Sequence, residues 1–430
     1  MNRRVVITGM GWVTPLGVGL EAAWRRLLAG DRGMAPTTIF DARTYPTQFA
    51  AEVKDFELKS FLGERYEDHK HASRNTGFAL AAAEMAWQDA GLNGPLGVDP
   101  TMVGVYLGGG EGPIDFENFV AAAIAGWNPE SRQLDTVKWA EVACERLDAV
   151  REFEQDPNRA AGHIAYRFNA HGPNFNTLTA CAASTQALGE AAALIRHGDA
   201  DAMISGGAHS MIHPLGVTGF NRLTALSTRN DSIESASRPF DRTRDGFVLG
   251  EGAGILILEE YENARRRGAR IRGEILGYGT TADAFRVTDM HEEGRGPIAA
   301  MQGALDDAHV KPEEIDYISA HGTGTEENDK TESLAIQVVF GDHAWRVPIS
   351  SIKSMLGHLI AGAGAVELIT CVLAIRDGIV PPTINYQHPD PNCPLDYVPN
   401  QARKVPVRTA LSNSFGFGGQ NNTLIVRPCE

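Results

Sequence analysis

Short apolar runs, many ending in glycine, recur along the chain and alternate with stretches of helical spacing. The runs are RVVITGMG (4–11), VGVYLGGG (103–110), ADAMISGG (200–207), ILILEE (255–260), IDYISAHG (315–322), VPISSIK (347–353) and NTLIV (422–426). They are rich in Val and Ile, and several carry little polarity, as strands buried on both faces do. Between them lie GLEAAWRRLLAG (19–30), NTGFALAAAEMAWQDAGL (75–92), STQALGEAAALIRHG (184–198), PIAAMQGALDDAHV (297–310) and GAGAVELITCVLAIRDG (362–378). These space apolar residues as helices do, and several stop at glycine after a polar or basic last turn. Such alternation predicts an α/β protein with largely buried sheets.

A weaker repeat runs through the pattern. The first half reads strand, Cys181, small-residue helix, then IRHG (195–198); the second reads strand, turn, small-residue helix, then IRDG (375–378). Two packed copies of one α/β unit would produce it, meeting near EEYENARRRGARIRGE (259–274). The expected halves are therefore 1–265 and 266–430. Residues 111–160 interrupt the alternation with acidic and polar sequence. They are read as an insertion over the surface with one helix at 136–153, whose apolar face would carry Val137, Ala140, Cys144, Leu147 and Val150.

Charge and cysteine content narrow the partners. The net charge of −15 makes nucleic acid an unlikely general partner. The five cysteines, 144, 181, 371, 393 and 429, are odd in number and form no CxxC. That excludes a disulfide framework and points to a reducing cytoplasm. No Cys/His spacing matches a zinc site. MNRRVVITGMG lacks the apolar core of a signal peptide, and no run approaches the roughly 20 residues of a membrane helix.

Several motifs carry chemistry. In TLTACAASTQALGEA (177–191), Cys181 stands where a β-compatible segment meets a helix. It is either a small core residue or a nucleophile whose pKa a helix N-terminus lowers. VVITGMGWVTPLG (5–17) begins like a dinucleotide fold, but Thr14 and Pro15 break the fingerprint, so Gly9 and Gly11 are read as a turn. GGGEGP (108–113) follows a strand; Glu111 opposes phosphate binding, and the segment is read as a turn lining a cavity. His321 in HGTGT closes a buried strand beside Thr323 and Thr325, facing a crevice. Lys353 and His358 in SIKSMLGHLIAGAGAVE would be costly to bury unless they serve a site. In SNSFGFGGQNN (412–422), Phe415 or Phe417 could swing as a gate. Cys144 and Cys371 are placed on apolar helix faces, and His69, His71, His209 and His213 are given structural or surface roles.

TACAAS, SRPFDRTRDGFVLGEGAG (237–254), HGTGT, KSMLGH and NSFGFGG occur in this order, and together they resemble the β-ketoacyl-[acyl-carrier-protein] synthases, most closely the synthase II type. The resemblance spans essentially the whole chain. It implies the thiolase-like fold: two duplicated halves in a five-layer αβαβα architecture. It also implies a homodimer, with no metal or redox cofactor. Cys181 would accept an acyl chain from carrier-protein phosphopantetheine. His321 and His358 would promote decarboxylation of the malonyl thioester and stabilise the enolate that attacks it. Backbone N–H groups of Cys181 and Phe417 would form the oxyanion hole, and Phe417 would gate the acyl pocket. Thr323 and Thr325 would bind the pantetheine arm, with Phe415, Phe220 and Glu111 among the substrate-binding residues. Lys353 would order the site, with Glu332 as its ionic partner. The chemistry agrees: a Claisen condensation needs a thiolate to hold the chain, and donors where charge builds as CO2 leaves.

The sequence departs from the resemblance at Glu111, where the family turn is usually apolar, and in the long segment 112–160. A secondary-metabolite or polyketide ketosynthase is therefore a second expectation. The acidic carrier protein calls for a basic docking patch, with Lys70, Arg74 and Arg222 as candidates. A non-catalytic partner resembling chain-length factors would lack the nucleophile, and a thiolase would need a second cysteine near the C-terminus.

Overall fold

The computed structural model describes residues 3–92, 98–110, 112, 114–286 and 290–429. Its main strands are β1 (Val5–Thr14), β2 (Val103–Gly108), β3 (Asn174–Thr177), β4 (Ala202–His209), β5 (Gly252–Glu260), β6 (Gly273–Ala282), β7 (Tyr317–Ser319), β8 (Ile349–Ser350), β9 (Ala410–Gly416) and β10 (Gln420–Arg427). They form one path, β8-β7-β9-β10-β6-β1-β5-β4-β2-β3. The two arms of this path match. In the first, β3, β2 and β4 are parallel, and β5 and β1 follow antiparallel. In the second, β8, β7 and β9 are parallel, and β10 and β6 follow antiparallel. A short antiparallel seam joins the arms, with Val5 opposite Ile275 and Ile7 opposite Gly273. Arg4 Nε donates to Glu274 Oε1 across it at 2.7 Å.

Helices complete five layers. α1 (Arg74–Asp89) and α2 (Arg159–Phe168) cover the outer face of the first arm. α3 (Ala183–His197) and α6 (Ala363–Asp377) lie between the arms, while α4 (Arg295–Ala308) and α5 (Glu326–Phe340) cover the second. α6 is buried on every side from Ala363 to Ala374, which is why its sequence is almost uniformly apolar. The short helix Tyr261–Arg266 and the residues after it connect β5 to β6.

The glycines of ITGMG form strand, not the turn expected of them. A Cβ on Gly9 would lie 2.0 Å from the Ala86 carbonyl, and one on Gly11 would lie 2.1 Å from that of Ala82. The second arm repeats the device: Gly277 and Gly279 in β6 face the Ala304 and Ala300 carbonyls at 2.2 and 2.0 Å. Glycine lets α1 and α4 press against their sheets.

The segment 114–155 also differs from its reading. Helices Phe116–Gly126 and Thr136–Arg146 flank the two-residue strands Trp127–Asn128 and Gln133–Leu134. The helix expected over 136–153 stops at Arg146, because Asp148 caps a new helix, Ala149–Phe153, by accepting from the Val150 and Arg151 N–H groups. Its supposed apolar face is largely open: Val137, Val150 and Cys144 are exposed.

Candidate active site

β3 runs toward a single tight turn, Ala180–Ala182, that feeds α3 and presents Cys181. Ala180 has φ 46°, a left-handed conformation that costs a residue with a Cβ. Gly108 clears the space behind: a Cβ there would sit 2.3 Å from the Ser184 nitrogen. The other arm has the same turn, Ile360–Gly362, with Ile360 at φ 45°, feeding α6. There Ala361 takes the place of the cysteine, and His358 stands two residues before the turn.

His321 follows β7. Its N–H and that of Gly322 donate to Glu332 Oε1 and Oε2, each at 2.8 Å. Lys353 Nζ donates to the His321 carbonyl at 2.6 Å and lies 3.4 Å from His321 Nδ1. His358 Nδ1 accepts the Ile360 N–H at 3.3 Å. In both rings the inner nitrogen is therefore an acceptor, which leaves Nε2 as the protonated nitrogen. Burial, then the Lys353 charge, holds both imidazoles well below their ordinary pKa, so they are neutral. One ligand atom from each of Cys181, His321 and His358 lies within 4.8 Å of the other two. Among the described residues this is the one such group able to hold a metal ion.

Two electrostatic expectations are corrected. The Cys181 thiol is not lowered: burial pushes it up to about 11, against the Lys353 charge and the N–H groups of Phe417 and Cys181. Apolar neighbours such as Ile212, Phe247, Leu249 and Ile360 outweigh the helix terminus. The ionic partner of Lys353 is Glu367 on α6, not Glu332. Glu332 instead holds the backbone of the His321 turn and accepts from Asn413 Nδ2 at 3.2 Å. The sequence signal for Glu367 was available: it is the one carboxylate in the apolar run AGAVELITCVLAI.

The trio opens into a cavity of about 380 Å3, which Thr323, Thr325, Phe415 and Phe417 also line. Thr323 Oγ1 and Thr325 Oγ1 are 2.9 Å apart. Phe417 sits in the β9–β10 turn before Gly418 and Gly419, both at positive φ. Phe415 belongs to β9 and is buried in the cavity wall, edge-on to His321 with ring centroids 5.8 Å apart. Phe220 stands behind the cavity, edge-on to Phe247, which in turn meets His358 edge-on. Arg74 is removed from the docking candidates because it binds the buried carboxylate of Glu251 at 2.8 Å. Lys70 pairs with Glu67 on the surface, and Arg222 is exposed near the cavity rim. Glu111 lies outside the described residues. Cys181 is the single cysteine among the described residues lining the cavity.

This geometry has relatives. Beta-ketoacyl synthase, N-terminal domain, matches residues 2–264, and Beta-ketoacyl synthase, C-terminal domain, matches 272–387. The chain belongs to the β-ketoacyl synthase family. It is a condensing enzyme of the acyltransferase class. The 3-oxoacyl-[acyl-carrier-protein] synthase 2 of Coxiella burnetii is 43% identical, over 99% of this chain and 98% of the relative. That of Synechocystis is 44% identical, over 98% and 97%. Among solved structures, a type II polyketide ketosynthase in complex with its acyl-carrier protein and bound to the hexaketide is 36% identical, with a TM-score of 0.87 and both chains fully covered. The ishigamide ketosynthase/chain length factor is 37% identical, with a TM-score of 0.88 and full coverage of both chains. Thiolase-like β-ketoacyl synthases therefore share the fold described above.

Proposed function

We propose that this β-ketoacyl synthase condenses an acyl group on Cys181 with a malonyl group delivered by an acyl carrier protein, and releases CO2. The observation that carries this reading is the convergence of the Cys181 thiol with two neutral imidazoles. In the first half-reaction the Cys181 sulfur attacks the acyl thioester carbonyl. The N–H groups of Phe417 and Cys181, which already act on the sulfur, are suited to receive the oxyanion. The C–S bond to pantetheine breaks, and that thiol leaves carrying the proton from Cys181. In the second, the malonyl carboxylate leaves as CO2, and its bonding pair becomes an enolate. Nε2–H of His321 and of His358 donate to the enolate oxygen; neutral rings do this without giving up a proton. The enolate carbon then attacks the Cys181 thioester, and the sulfur departs to regain a proton. Lys353, held by Glu367 and by the His321 carbonyl, acts as a positioning residue.

Thr323 and Thr325 suit the amides of the pantetheine arm at the cavity mouth. The chemistry needs no metal, although zinc captured by the trio would block the nucleophile; full activity in a chelator is the expectation. A homodimer would form across the open edge of β3, where Phe175 is exposed. All five cysteines are free thiols, which suits the cytoplasm. No helix among the described residues is long and apolar enough to cross a membrane. A catalytic role is favoured over a chain-length-factor-like one because the nucleophile is in place. The test is intact mass after mixing with a panel of acyl-carrier proteins. An acyl adduct lost in Cys181→Ala is expected, and no adduct with any chain would sink the reading.

A further inference from the structure

One buried imidazole beside the trio has no task in the condensation. His209 ends β4 and is 2% exposed. Side chains alternate along a strand. Ile204 and Ala208 face the outer core with α1, and Met203 faces the central one. His209 therefore shares the inner face with Met203 and Gly207. A Cβ on Gly207 would lie 2.7 Å from Ser184 Cβ and 2.7 Å from the Ala361 carbonyl, which flank Cys181 and His358 in sequence. His209 is also near enough to His358 that a proton on one ring disfavours a proton on the other.

The ring is accommodated by a glycine, because a Cβ on Gly110 would come within 2.2 Å of His209 Nε2. Yet Nδ1 is buried without a hydrogen-bond partner among the described residues. Polar neighbours in sequence are committed elsewhere: Ser210 Oγ donates to Glu251 Oε2 at 2.7 Å, and His213 Nδ1 accepts from the Gly216 N–H. Burial keeps His209 neutral, lowering its pKa to about 4. A neutral imidazole offers one donor and one acceptor, which suits a hydroxyl or a carbonyl and not a hydrocarbon. A buried polar atom left unpaired is a cost that a bound molecule can remove.

We propose that His209 is a specificity-determining residue that hydrogen-bonds an oxygen on the chain carried by Cys181, so that the enzyme takes hydroxylated or oxo-acyl chains in preference to saturated ones. This rests on Cys181 as the acyl acceptor. A saturated chain would leave Nδ1 unpaired, and sites built around a substrate oxygen reject analogues that lack it.

The full chain is offered matched pantetheine thioesters: hexanoyl and octanoyl, and the same chains with a hydroxyl or oxo group at the third or fifth carbon, or, in octanoyl alone, at the seventh. Rate constants for acylation of Cys181 are read by intact mass. At least one oxygenated chain should react about tenfold faster than its saturated parent or better. His209→Leu should abolish that ratio, and His209→Gln, which keeps an amide, should retain part of it. Because the ratio compares two substrates on one sample, partial misfolding of a variant does not imitate the effect. Saturated parents reacting as fast at every position, or an unchanged ratio in His209→Leu, would overturn the proposal. Acylation by none of the thioesters would instead remove Cys181 as the acyl acceptor.

Discussion

Cys181 is under opposing influences. The Lys353 ammonium and two backbone N–H groups favour the thiolate, while an apolar wall favours the thiol and prevails. The thiolate fraction therefore still climbs at neutral pH, toward a midpoint of about 11. Alkylation by iodoacetamide should rise about tenfold per pH unit between pH 7 and 9. A plateau below pH 8 would show that the thiolate forms earlier. Behind the site, the buried Lys353–Glu367 pair is open to a second measurement. Glu367→Ala leaves an ammonium without its carboxylate and should cost about 3–5 kcal/mol in urea denaturation. Lys353→Met with Glu367→Leu should cost clearly less, because both charges go. Equal losses would mean that the pair does not behave as a unit. Cys181, both histidines and the lysine were legible as residue identities in ordered motifs. The carboxylate facing the lysine was signalled only as the one charge in an apolar run; choosing it over Glu332 depends on how α5 and α6 are rotated about their axes.

At the level of elements, the same glycine pair recurs where β1 meets α1 and where β6 meets α4. Gly9→Ala and Gly277→Ala should each lower stability by about 1–3 kcal/mol through overpacking. They lie in separate arms, so the double variant should show the sum. A wild-type denaturation midpoint for Gly9→Ala would refute the close approach. The strand itself was legible; the glycines were mistaken for a turn because the carbonyls they meet belong to a helix more than 70 residues on, as the Gly9–Ala86 and Gly11–Ala82 contacts show. The end of the 114–155 segment is fastened by a buried chain in which Glu154 meets His163 Nε2 at 3.1 Å and His163 Nδ1 meets His69 Nδ1 at 2.8 Å. Burial and the nearby His163, with Arg167 and Arg65, lower His69 to about 4, and Asp68 opposes them. The folded pKa lies below the free value, so the unfolded chain binds the proton more readily. His69 thus supports the fold above about pH 6.5 and loses that contribution as pH falls toward 4. The stability difference between wild type and His69→Gln should shift in favour of the variant by roughly 1.4 kcal/mol per pH unit across that window. A difference independent of pH would contradict this.

The whole molecule is two copies of one plan, and both copies contribute to the Cys181, His321 and His358 group. The turn of one arm offers Cys181; the matching region of the other offers His358, with alanine where the cysteine would be. The path of strands ends at β3, whose edge carries the exposed Phe175. If a second copy pairs there, Phe175→Asp should convert the dimer to monomer in sedimentation equilibrium. A wild-type protein that is already monomeric would exclude that arrangement.

The sequence by itself determined the alternation of strands and helices, the echo between the halves, and the motifs whose Cys181, His321 and His358 converge. These follow from local periodicity and from which side chains can do the chemistry. Tertiary structure decided the protonation of Cys181, the partner of Lys353, the purpose of Gly9 and Gly11, and the inward aim of His209. Each of these is set by desolvation or contact between residues far apart in the chain. The Cys181 thiol has two imidazoles for company and is made weakly acidic by its burial.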